Sequence, residues 1–344
     1  MPSSPDLDSL RYSRARYQAN TPALAFRAQT LEQALGWQKQ LRAKLVELLG
    51  GFPEPCPLEV REGRVRRMEG YSRQPVLFRS RPGLDVFGWL LRPVRRRRER
   101  TPAMLCLHGH GRGCDEIVGI AADGSQRTRC GEYQNDFALQ AVHRGYMALA
   151  IDQLGFGRRR DRAARKENPG VSSCQPAAGS ALLLGETMIG WRTHDAMRAL
   201  DYLQSLAEVD PERLGAMGIS GGGTTTFHLA CLDERVQVAM VSGYFNTFRD
   251  SIFAISHCLD NYAPGMLRWA EMADLAGLIA PRALFVESGT RDGIFPVAAT
   301  RQAFARAQEI YAVLGGRLGL GVFRGVHEFR GHRGWPFMRQ VLWG

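Results

Sequence analysis

The residue whose surroundings most clearly suggest chemistry is Ser220. It lies in the pattern Gly218-x-Ser220-x-Gly222, after a short apolar run and before the start of a predicted helix. Glycines on both sides let a strand and a helix approach too closely for side chains, so the serine is held in a tight turn. The N–H groups at the start of a helix also favour negative charge nearby. The pattern indicates a nucleophilic serine; the competing interpretation is a serine that only caps the helix.

A serine hydroxyl is a poor nucleophile near neutral pH, and it needs a base that is itself oriented by a third group. Asp292 and His327 follow Ser220 along the chain, each soon after a predicted strand. We therefore expect Asp292 to orient His327, and His327 to take the proton of Ser220. The chain also contains competing acids and a competing base, namely Asp260, Asp274 and His332.

The elements that must position these residues alternate between strands and helices. Strands are predicted over residues 104–107, 146–151, 213–219, 236–241, 282–287 and 318–323, and helices over 132–144, 184–206, 223–231, 297–314 and 336–342. This alternation favours an α/β fold with a mostly parallel sheet and helices on both faces. Ligands bind such sheets at the carboxyl ends of strands. Ser220, Asp292 and His327 follow strands, and so does the turn His108–Gly111, so we expect all of them at one edge.

We expect the whole chain, residues 1–344, to form a single domain around this sheet. Residues 6–50 contain leucines at three-to-four spacing, which is typical of helices. Residues 1–58 are therefore predicted to form an N-terminal helical extension. Antiparallel strands are expected between residues 60 and 93, where two apolar runs flank a turn signal.

Two insertions, residues 155–190 and 244–275, are predicted to cap the site and shape its pocket. Within the first, residues 158–182 are expected to be irregular because charges, prolines and glycines interrupt any periodicity. The insertions also contain aromatic side chains that we expect to contribute to the pocket, namely Phe156, Tyr244, Phe245 and Trp269. For Tyr244 the sequence does not separate a place in the pocket wall from one in the core. The predicted pocket is therefore partly apolar.

The basic composition does not indicate a nucleic-acid partner. The net charge is +11, but only three of the 45 basic residues are lysines and the arginines are spread along the chain. This bias is more typical of a GC-rich coding sequence than of a binding surface. The densest run, Arg95–Arg98 with Arg100, lies between two predicted strands and is expected at a solvated tip.

The composition also predicts the cellular compartment of the protein. No apolar run approaches the roughly 18 residues needed to cross a bilayer. Residues 1–20 show no apolar core of a signal peptide. Seven scattered cysteines without a C-x-x-C pair suit reduced thiols. We therefore expect a cytoplasmic protein with no membrane partner, and leave open whether it forms a homo-oligomer.

Together these motifs resemble the α/β-hydrolase superfamily. The resemblance rests on the Ser220 pattern, on His108-Gly109-x-Gly111, on Asp292 after Gly289-Thr290-Arg291, and on His327 after Gly325-Val326. The chain looks most like the dienelactone-hydrolase-like and acetyl-xylan-esterase-like branches, and also resembles the catalytic domain of prolyl-oligopeptidase-type enzymes. It departs from the first two branches at two positions. Ser220 stands where dienelactone hydrolases have a cysteine, and Leu154 stands where many acetyl xylan esterases have an arginine.

The resemblance implies a serine hydrolase that cleaves carboxylic esters through an acyl-enzyme on Ser220. The backbone N–H groups of Gly221 and His110 would form the oxyanion hole, with Gly111 as the alternative to His110. His108 would brace the turn that carries His110. These roles, like the triad of Ser220, Asp292 and His327, are expectations for the structure to test.

The implied substrate is a small-molecule ester with a small or medium acyl group. No metal or organic cofactor is implied, and the spacing of His257, Cys258 and Asp260 fits no zinc pattern. Two other functions are compatible with the same motifs. One is a small peptidase or acyl-aminoacyl hydrolase, and the other is a non-catalytic binding protein that keeps the fold.

Overall fold

The computed structural model describes residues 7–95 and 98–344. The centre of the predicted basic tip, Arg96 and Arg97, lies outside the described residues. The helices are α1 Ser9–Gln18, α2 Leu31–Leu48, α3 Cys114–Ile117, α4 Phe137–His143, α5 Cys174–Leu183, α6 Met188–Ser205, α7 Gly221–Leu232, α8 Met272–Ala276, α9 Val297–Leu314 and α10 Gly334–Leu342. The strands are β1 Arg61–Glu62, β2 Arg66–Met68, β3 Tyr71–Arg81, β4 Leu84–Pro93, β5 Thr101–Leu107, β6 Met147–Ile151, β7 Val209–Ile219, β8 Val236–Ser242, β9 Ala283–Gly289 and β10 Leu318–Phe323.

All of these strands belong to one sheet, in the order β1-β3-β4-β6-β5-β7-β8-β9-β10 with β2 beside β3. Neighbours from β6 to β10 pair in parallel, whereas the pairs that involve β1 to β4 are antiparallel. Met217 of the central β7 lies between Cys106 of β5 and Met240 of β8. Every residue of β5, β6 and β9 is buried, which explains their continuous apolar runs. The predicted α/β fold with a mostly parallel sheet is confirmed.

Apolar cores lie on both faces of the sheet. One contains side chains of α2, α6, α7, α8 and α9, such as Leu41, Leu203 and Ile310. The other contains side chains of α4 and α10, such as Phe137 and Met338. Among the described helices, none is both long and apolar enough to span a membrane. Because β7 is central and α7 follows it directly, Ser220 lies in the middle of the carboxyl edge.

The N-terminal extension is only partly helical. Residues 19–30 separate α1 from α2, so the prediction of helix over residues 6–50 is wrong there. Pro22 lies in the break. Thr30 begins α2 as its cap, because its hydroxyl accepts the N–H of Gln33 at 3.3 Å.

Other boundaries also differ from the sequence-based expectation, and the helix expected over residues 184–206 begins only at Met188. Residues 158–182 were expected to be irregular, but α5 begins at Cys174; Pro176 fits in its first turn, where a proline removes no helical hydrogen bond. The helix expected over residues 132–144 begins only at Phe137. Glu132, Asn135 and Asp136 before it have φ of 62°, 50° and 46°, and this left-handed backbone cannot continue a right-handed helix.

Candidate active site

Ser220 occupies the sharp turn between β7 and α7. Its φ is 57° and its ψ is −123°, a conformation that costs a residue other than glycine about 1–3 kcal/mol. The Ser220 N–H donates to the carbonyl of Ser242 on β8 at 3.0 Å. A Cβ on Gly222 would lie 1.8 Å from the Leu107 oxygen, and one on Gly218 would lie 2.4 Å from the Gly222 oxygen. The two flanking glycines are therefore required by the close approach of backbone segments.

Asp292 and His327 form a hydrogen bond at the same edge. His327 Nδ1 lies 2.8 Å from Asp292 Oδ2, and Asp292 Oδ1 accepts the N–H groups of Ile294 and Phe295, each at 2.9 Å. Burial alone would raise the pKa of Asp292, but the hydrogen bond from His327 and the two N–H groups outweigh burial and lower that pKa. A carboxylate can only accept, so Nδ1 carries the hydrogen. Nε2 of His327 has no partner among the described residues.

The competing residues are engaged elsewhere. Asp260 accepts a hydrogen bond from Arg192 at 2.7 Å. The Asp274 carboxylate accepts the backbone N–H of Glu271 at 3.0 Å and so helps to cap α8. His332 is exposed to solvent. The geometry therefore favours the Asp292–His327 pair over its rivals.

Close backbone contacts bring this pair and the serine turn together. Gly243 directly follows Ser242, the residue that holds the Ser220 turn, and a Cβ on Gly243 would lie 2.8 Å from His327 Cε1. On the other side of the serine, a Cβ on Gly109 would lie 3.2 Å from Ser220 Cβ. The segments that follow β5, β7, β8, β9 and β10 thus meet at one place, as expected for the carboxyl edge of a parallel sheet.

Two aromatic rings that the sequence did not mark stack on His327. The Tyr133 ring lies 5.7 Å from the imidazole and the Phe295 ring 5.8 Å, both tilted by 23°. The Tyr133 hydroxyl also donates to the carbonyl of His110 at 2.6 Å. Tyr133 therefore connects the candidate base with the turn after β5. Phe295 follows Asp292 closely and could have been noticed, but nothing local marks Tyr133.

The turn after β5 lies over the start of α7. Gly221 is the first residue of α7, so its N–H has no acceptor within the helix. A Cβ on Gly221 would lie 3.4 Å from His110 Nδ1. Gly111 has a φ of 152°, and a Cβ there would lie 2.0 Å from Glu116 Oε2. The structure brings these residues together, and the oxyanion roles of Gly221, His110 and Gly111 stay predictions.

His108 is built into the turn as a brace. It is fully buried, its Nδ1 lies 2.6 Å from the Gly109 carbonyl, and its Nε2 accepts the N–H of Gln153 at 3.0 Å. Burial lowers the pKa of His108 to about 4, so the ring is neutral near pH 7. With both ring nitrogens occupied, His108 is not available as a base.

A buried ion pair lies behind the His110 ring. Arg192 donates to Asp260 Oδ2 at 2.7 Å, and the two side chains are 2% and 0% exposed. His110 Nε2 lies 3.6 Å from the same oxygen, and Arg192 also donates to Cys174 Sγ at 2.9 Å. His110, Cys174 and Asp260 are close enough to resemble a set of metal ligands. The guanidinium already supplies the positive charge among them, so this set of donors does not fit a metal ion.

The aromatic residues expected in the pocket wall divide into two groups. Phe156 contacts His110 edge-to-face at 4.9 Å and lies beside the site. The expectation is wrong for Phe245, which packs in the core beside Phe227. Tyr244 also packs in the core, which was one of its two alternatives. The expectation is also wrong for Trp269, whose ring lies 4.2 Å below the ammonium of Lys44 on α2. Position in an insertion did not reveal which way each ring points.

Sequence comparison identifies the family. The profile described as the abhydrolase family matches residues 13–309, which is most of the chain. The chain belongs to the abhydrolase family. The matched region contains Ser220 and Asp292 and ends before His327. This abhydrolase is 26% identical over 296 residues to the Bacillus subtilis protein named "Putative hydrolase YtaP", covering 85% of this chain and 92% of that protein.

Solved structures share the fold of this abhydrolase. A "putative acetyl xylan esterase" from Bacteroides fragilis has a TM-score of 0.80 at 18% identity, covering 99% of this chain and 91% of that one. A glucuronoyl esterase from Solibacter usitatus has a TM-score of 0.70 at 17% identity, covering 95% and 98%. An acetyl xylan esterase from Paenibacillus sp. R4 has a TM-score of 0.57 at 19% identity, covering 95% and 98%. These matches, with the family profile, confirm the predicted α/β-hydrolase fold.

Proposed function

We propose that this abhydrolase is a serine hydrolase that cleaves carboxylic esters through an acyl-enzyme on Ser220. The observation that carries the proposal is the 2.8 Å hydrogen bond between His327 and Asp292 beside the strained Ser220 turn. Because Nδ1 of His327 is engaged, only Nε2 is available to a reacting hydroxyl. A serine, an imidazole and a buried carboxylate in this relation support acyl transfer.

In the first half of the proposed reaction, Ser220 Oγ attacks the ester carbonyl carbon while His327 Nε2 takes the hydroxyl proton. The N–H groups of Gly221 and His110 stabilise the oxyanion, and one such donor typically contributes about 3 kcal/mol. The intermediate then expels the alcohol, which leaves with the proton that His327 returns. The acyl group remains on Ser220 as an ester.

In the second half, His327 Nε2 removes a proton from a water molecule whose oxygen attacks the acyl carbon. The bond to Ser220 Oγ breaks, the carboxylic acid leaves, and the proton returns to Ser220. Asp292 keeps the hydrogen of His327 on Nδ1 and stabilises the imidazolium formed in both halves. Every step uses groups of this chain, so the proposal requires no cofactor.

We propose esters rather than amides as substrates for two reasons, which are the names of the structural neighbours and the aromatic lining of the pocket. The structural neighbours are named as acetyl xylan esterases and glucuronoyl esterases. Phe156, Tyr133 and Phe295 place aromatic rings beside His110 and His327. We infer a partly apolar pocket for a small-molecule ester with a small or medium acyl group. A peptidase of prolyl-oligopeptidase type is the alternative that the assay must separate.

Replacement of the nucleophile is the first test. Ser220→Ala is expected to lower kcat for p-nitrophenyl acetate by about 10⁴- to 10⁶-fold, because the acyl-enzyme cannot form. The melting temperature should not fall, since alanine removes only an oxygen atom from the turn. Ser125→Ala is the matched control, because Ser125 is exposed in a loop. Retained ester turnover in Ser220→Ala would contradict the proposal.

Covalent labelling and substrate choice complete the test. An organophosphate probe followed by peptide mapping is expected to modify Ser220 in the wild-type protein. Esters of graded acyl length should be hydrolysed much faster than aminoacyl amides with the same leaving group. Efficient amide cleavage with poor ester turnover would instead support a peptidase, and an intact fold with unlabelled Ser220 would support a binding protein.

We infer a reducing cellular compartment for this reaction. All seven cysteines are free thiols, and four of them, Cys106, Cys114, Cys174 and Cys231, are buried. Free thiols of this number persist where disulfides are kept reduced, which supports a cytoplasmic location. Mass spectrometry of the protein from its native cells should find unmodified thiols.

A further inference from the structure

His257 is a half-buried histidine that has no role in the proposed reaction. Its ring meets the Phe295 ring edge-to-face at 5.8 Å, and Phe295 stacks on the His327 imidazole at 5.8 Å. Burial lowers the pKa of His110, and neighbouring positive charges, among them those of His257 and His327, lower it further. His257 therefore lies at the rim of the candidate active site, close to both of these histidines.

Hydrogen bonds beneath His257 fix the orientation of the Asn261 amide. Asn261 Oδ1 accepts the Thr224 hydroxyl at 2.6 Å, and Asn261 Nδ2 donates to Asp260 Oδ1 at 2.9 Å. Burial alone would raise the pKa of Asp260, but the paired Arg192 guanidinium outweighs burial and lowers it, so the carboxylate can only accept. The amide nitrogen of Asn261, and not its oxygen, must therefore face Asp260.

The same amide nitrogen determines which ring nitrogen of His257 carries the hydrogen. Asn261 Nδ2 lies 3.2 Å from His257 Nδ1. An amide nitrogen donates and does not accept, so Nδ1 accepts, and the hydrogen of the neutral ring lies on Nε2. Burial lowers the pKa of His257 and outweighs Asp260 and the Cys258 carbonyl, which raise it, so the ring is neutral near pH 7. His257 therefore presents a single N–H donor, at Nε2.

The Nε2 donor of His257 is accessible to a substrate. Among the described residues, none forms a hydrogen bond with this nitrogen, and it is not one of the side-chain atoms that are buried without a partner. Nε2 is therefore exposed to solvent. A substrate that covers this donor removes it from solvent, and the complex loses free energy unless the substrate supplies an acceptor in return.

We propose that His257 determines specificity by selecting esters that carry an ether or hydroxyl oxygen near the scissile bond. This inference rests on the proposed ester hydrolysis at Ser220. In the bound ester, the additional oxygen accepts the hydrogen of His257 Nε2. An alkyl chain in the same place leaves the donor without a partner, so the site discriminates between the two by one hydrogen bond. The oxygen belongs to the acyl part or to the alcohol part of the ester, and the experiment separates these.

The test uses two pairs of esters in which the members have equal length and differ by one oxygen. p-Nitrophenyl methoxyacetate and p-nitrophenyl butyrate differ in the acyl part, whereas 2-methoxyethyl acetate and butyl acetate differ in the alcohol part. For each pair, kcat/KM of the oxygen-containing ester is divided by that of the alkyl ester. The intrinsic reactivity of the esters is the same for every variant, so a change in this ratio reports the contact with the protein.

Substitutions of His257 separate the donor from the ring. His257→Phe keeps the ring contact with Phe295 but removes the donor, and should lower the ratio of one pair roughly fivefold, as loss of one hydrogen bond would give. His257→Leu removes the donor with a smaller side chain and should have the same effect. His257→Gln keeps an N–H donor and should retain most of the wild-type ratio. His332→Phe is the matched control, because His332 is exposed to solvent.

The results distinguish this inference from the proposed function. A lower ratio in His257→Phe that His257→Gln restores would support the inference, and the pair that responds shows which part of the ester carries the oxygen. Unchanged ratios for both pairs in His257→Phe and His257→Leu would overturn it and leave the ester hydrolysis in place. Equal falls in His257→Phe and His257→Gln would overturn it too, because the ring would then have a structural role only. Absence of Ser220-dependent turnover of all four esters would overturn the proposed function, and this inference with it.

Discussion

At the scale of single residues, the surroundings of His327 restrict how the imidazole can move. Tyr133 and Phe295 stack on the ring, and Asp292 holds Nδ1. Rotation of the ring would lose the hydrogen bond to Asp292 and both stacking contacts. Nε2 is therefore kept in one orientation, which is what the general base of the proposed reaction requires, because it acts twice in each cycle.

Tyr133 provides a test of this arrangement. Tyr133→Phe keeps the stacked ring but removes the hydroxyl that donates to the His110 carbonyl. We expect kcat for p-nitrophenyl acetate to fall about five- to tenfold, because the turn that carries His110, a proposed oxyanion donor, is less firmly held. Tyr12→Phe is the control, since Tyr12 is 67% exposed on α1. An unchanged kcat in Tyr133→Phe would show that the hydroxyl does not position the turn.

Glu116 lies against Gly111 in the turn after β5. The raised pKa of its carboxyl group predicts that the stability of the protein depends on pH. Burial, and then the neighbouring Glu132, raise the pKa of Glu116 to about 7. Because this pKa exceeds the value of 4.5 for an unperturbed glutamate, the folded protein binds the proton more tightly than the unfolded chain. The stability that protonated Glu116 contributes is complete below pH 4.5 and is lost as the pH rises through about 7.

Glu116→Gln should remove this dependence. The glutamine can still accept the hydrogen bond from Gln134 and carries no charge at any pH. We expect the variant to be more stable than the wild type at pH 8 by about 1–3 kcal/mol, and similar to it at pH 5. Urea unfolding at both pH values measures the effect, with the exposed Glu32→Gln as control. The same difference at both pH values would contradict the prediction.

At the scale of elements, the site depends on backbone contact between β5 and the start of α7. Gly222→Ala would place a Cβ 1.8 Å from the Leu107 oxygen, so strand and helix would have to separate. We expect a loss of about 3 kcal/mol in the free energy of unfolding together with loss of ester turnover. Urea unfolding and the p-nitrophenyl acetate assay measure the two effects.

Gly179→Ala is the matched control for this prediction. Gly179 lies within α5, and a Cβ there would have no atom within 4 Å, so alanine fits without strain. Because alanine favours helix over glycine, this variant should gain about 0.5–1 kcal/mol and keep full activity. Equal losses in both variants would show that the close backbone contact at Gly222 does not account for the loss of stability.

At the scale of the whole molecule, the Arg192–Asp260 pair joins distant segments. It connects α6 with residues 244–275, and through Cys174 and His110 it reaches α5 and the turn after β5. Arg192→Met leaves Asp260 buried without its partner, and should lower the free energy of unfolding by about 3–5 kcal/mol. The double variant Arg192→Met/Asp260→Leu should recover most of this loss, because no charge remains buried.

An exposed ion pair is the control for this experiment. Glu309→Gln removes the charge of the pair with Arg306 on α9, whose side chains are 63% and 42% exposed, and should change stability by less than about 1 kcal/mol. Urea unfolding measures all three variants. If Arg192→Met and Glu309→Gln cost the same, the buried pair does not join the segments.

Features that local pattern encodes could be predicted from the amino-acid sequence. Strand and helix periodicity predicted the parallel sheet, and β10 and α9 begin and end where expected. The order of Ser220, Asp292 and His327, each after a separate strand, predicted that they would meet, because parallel strands present their carboxyl ends on one side. The glycines around Ser220 predicted a turn that only close backbone approach explains.

What packs around these residues became clear only in the folded chain. Tyr133 and Arg192 make contacts between segments far apart in the chain, which no periodicity records. The directions of Phe245 and Trp269 were mistaken for the same reason. A side chain's position along the chain is local information, whereas the neighbour it meets is set by how the whole sheet and its helices pack.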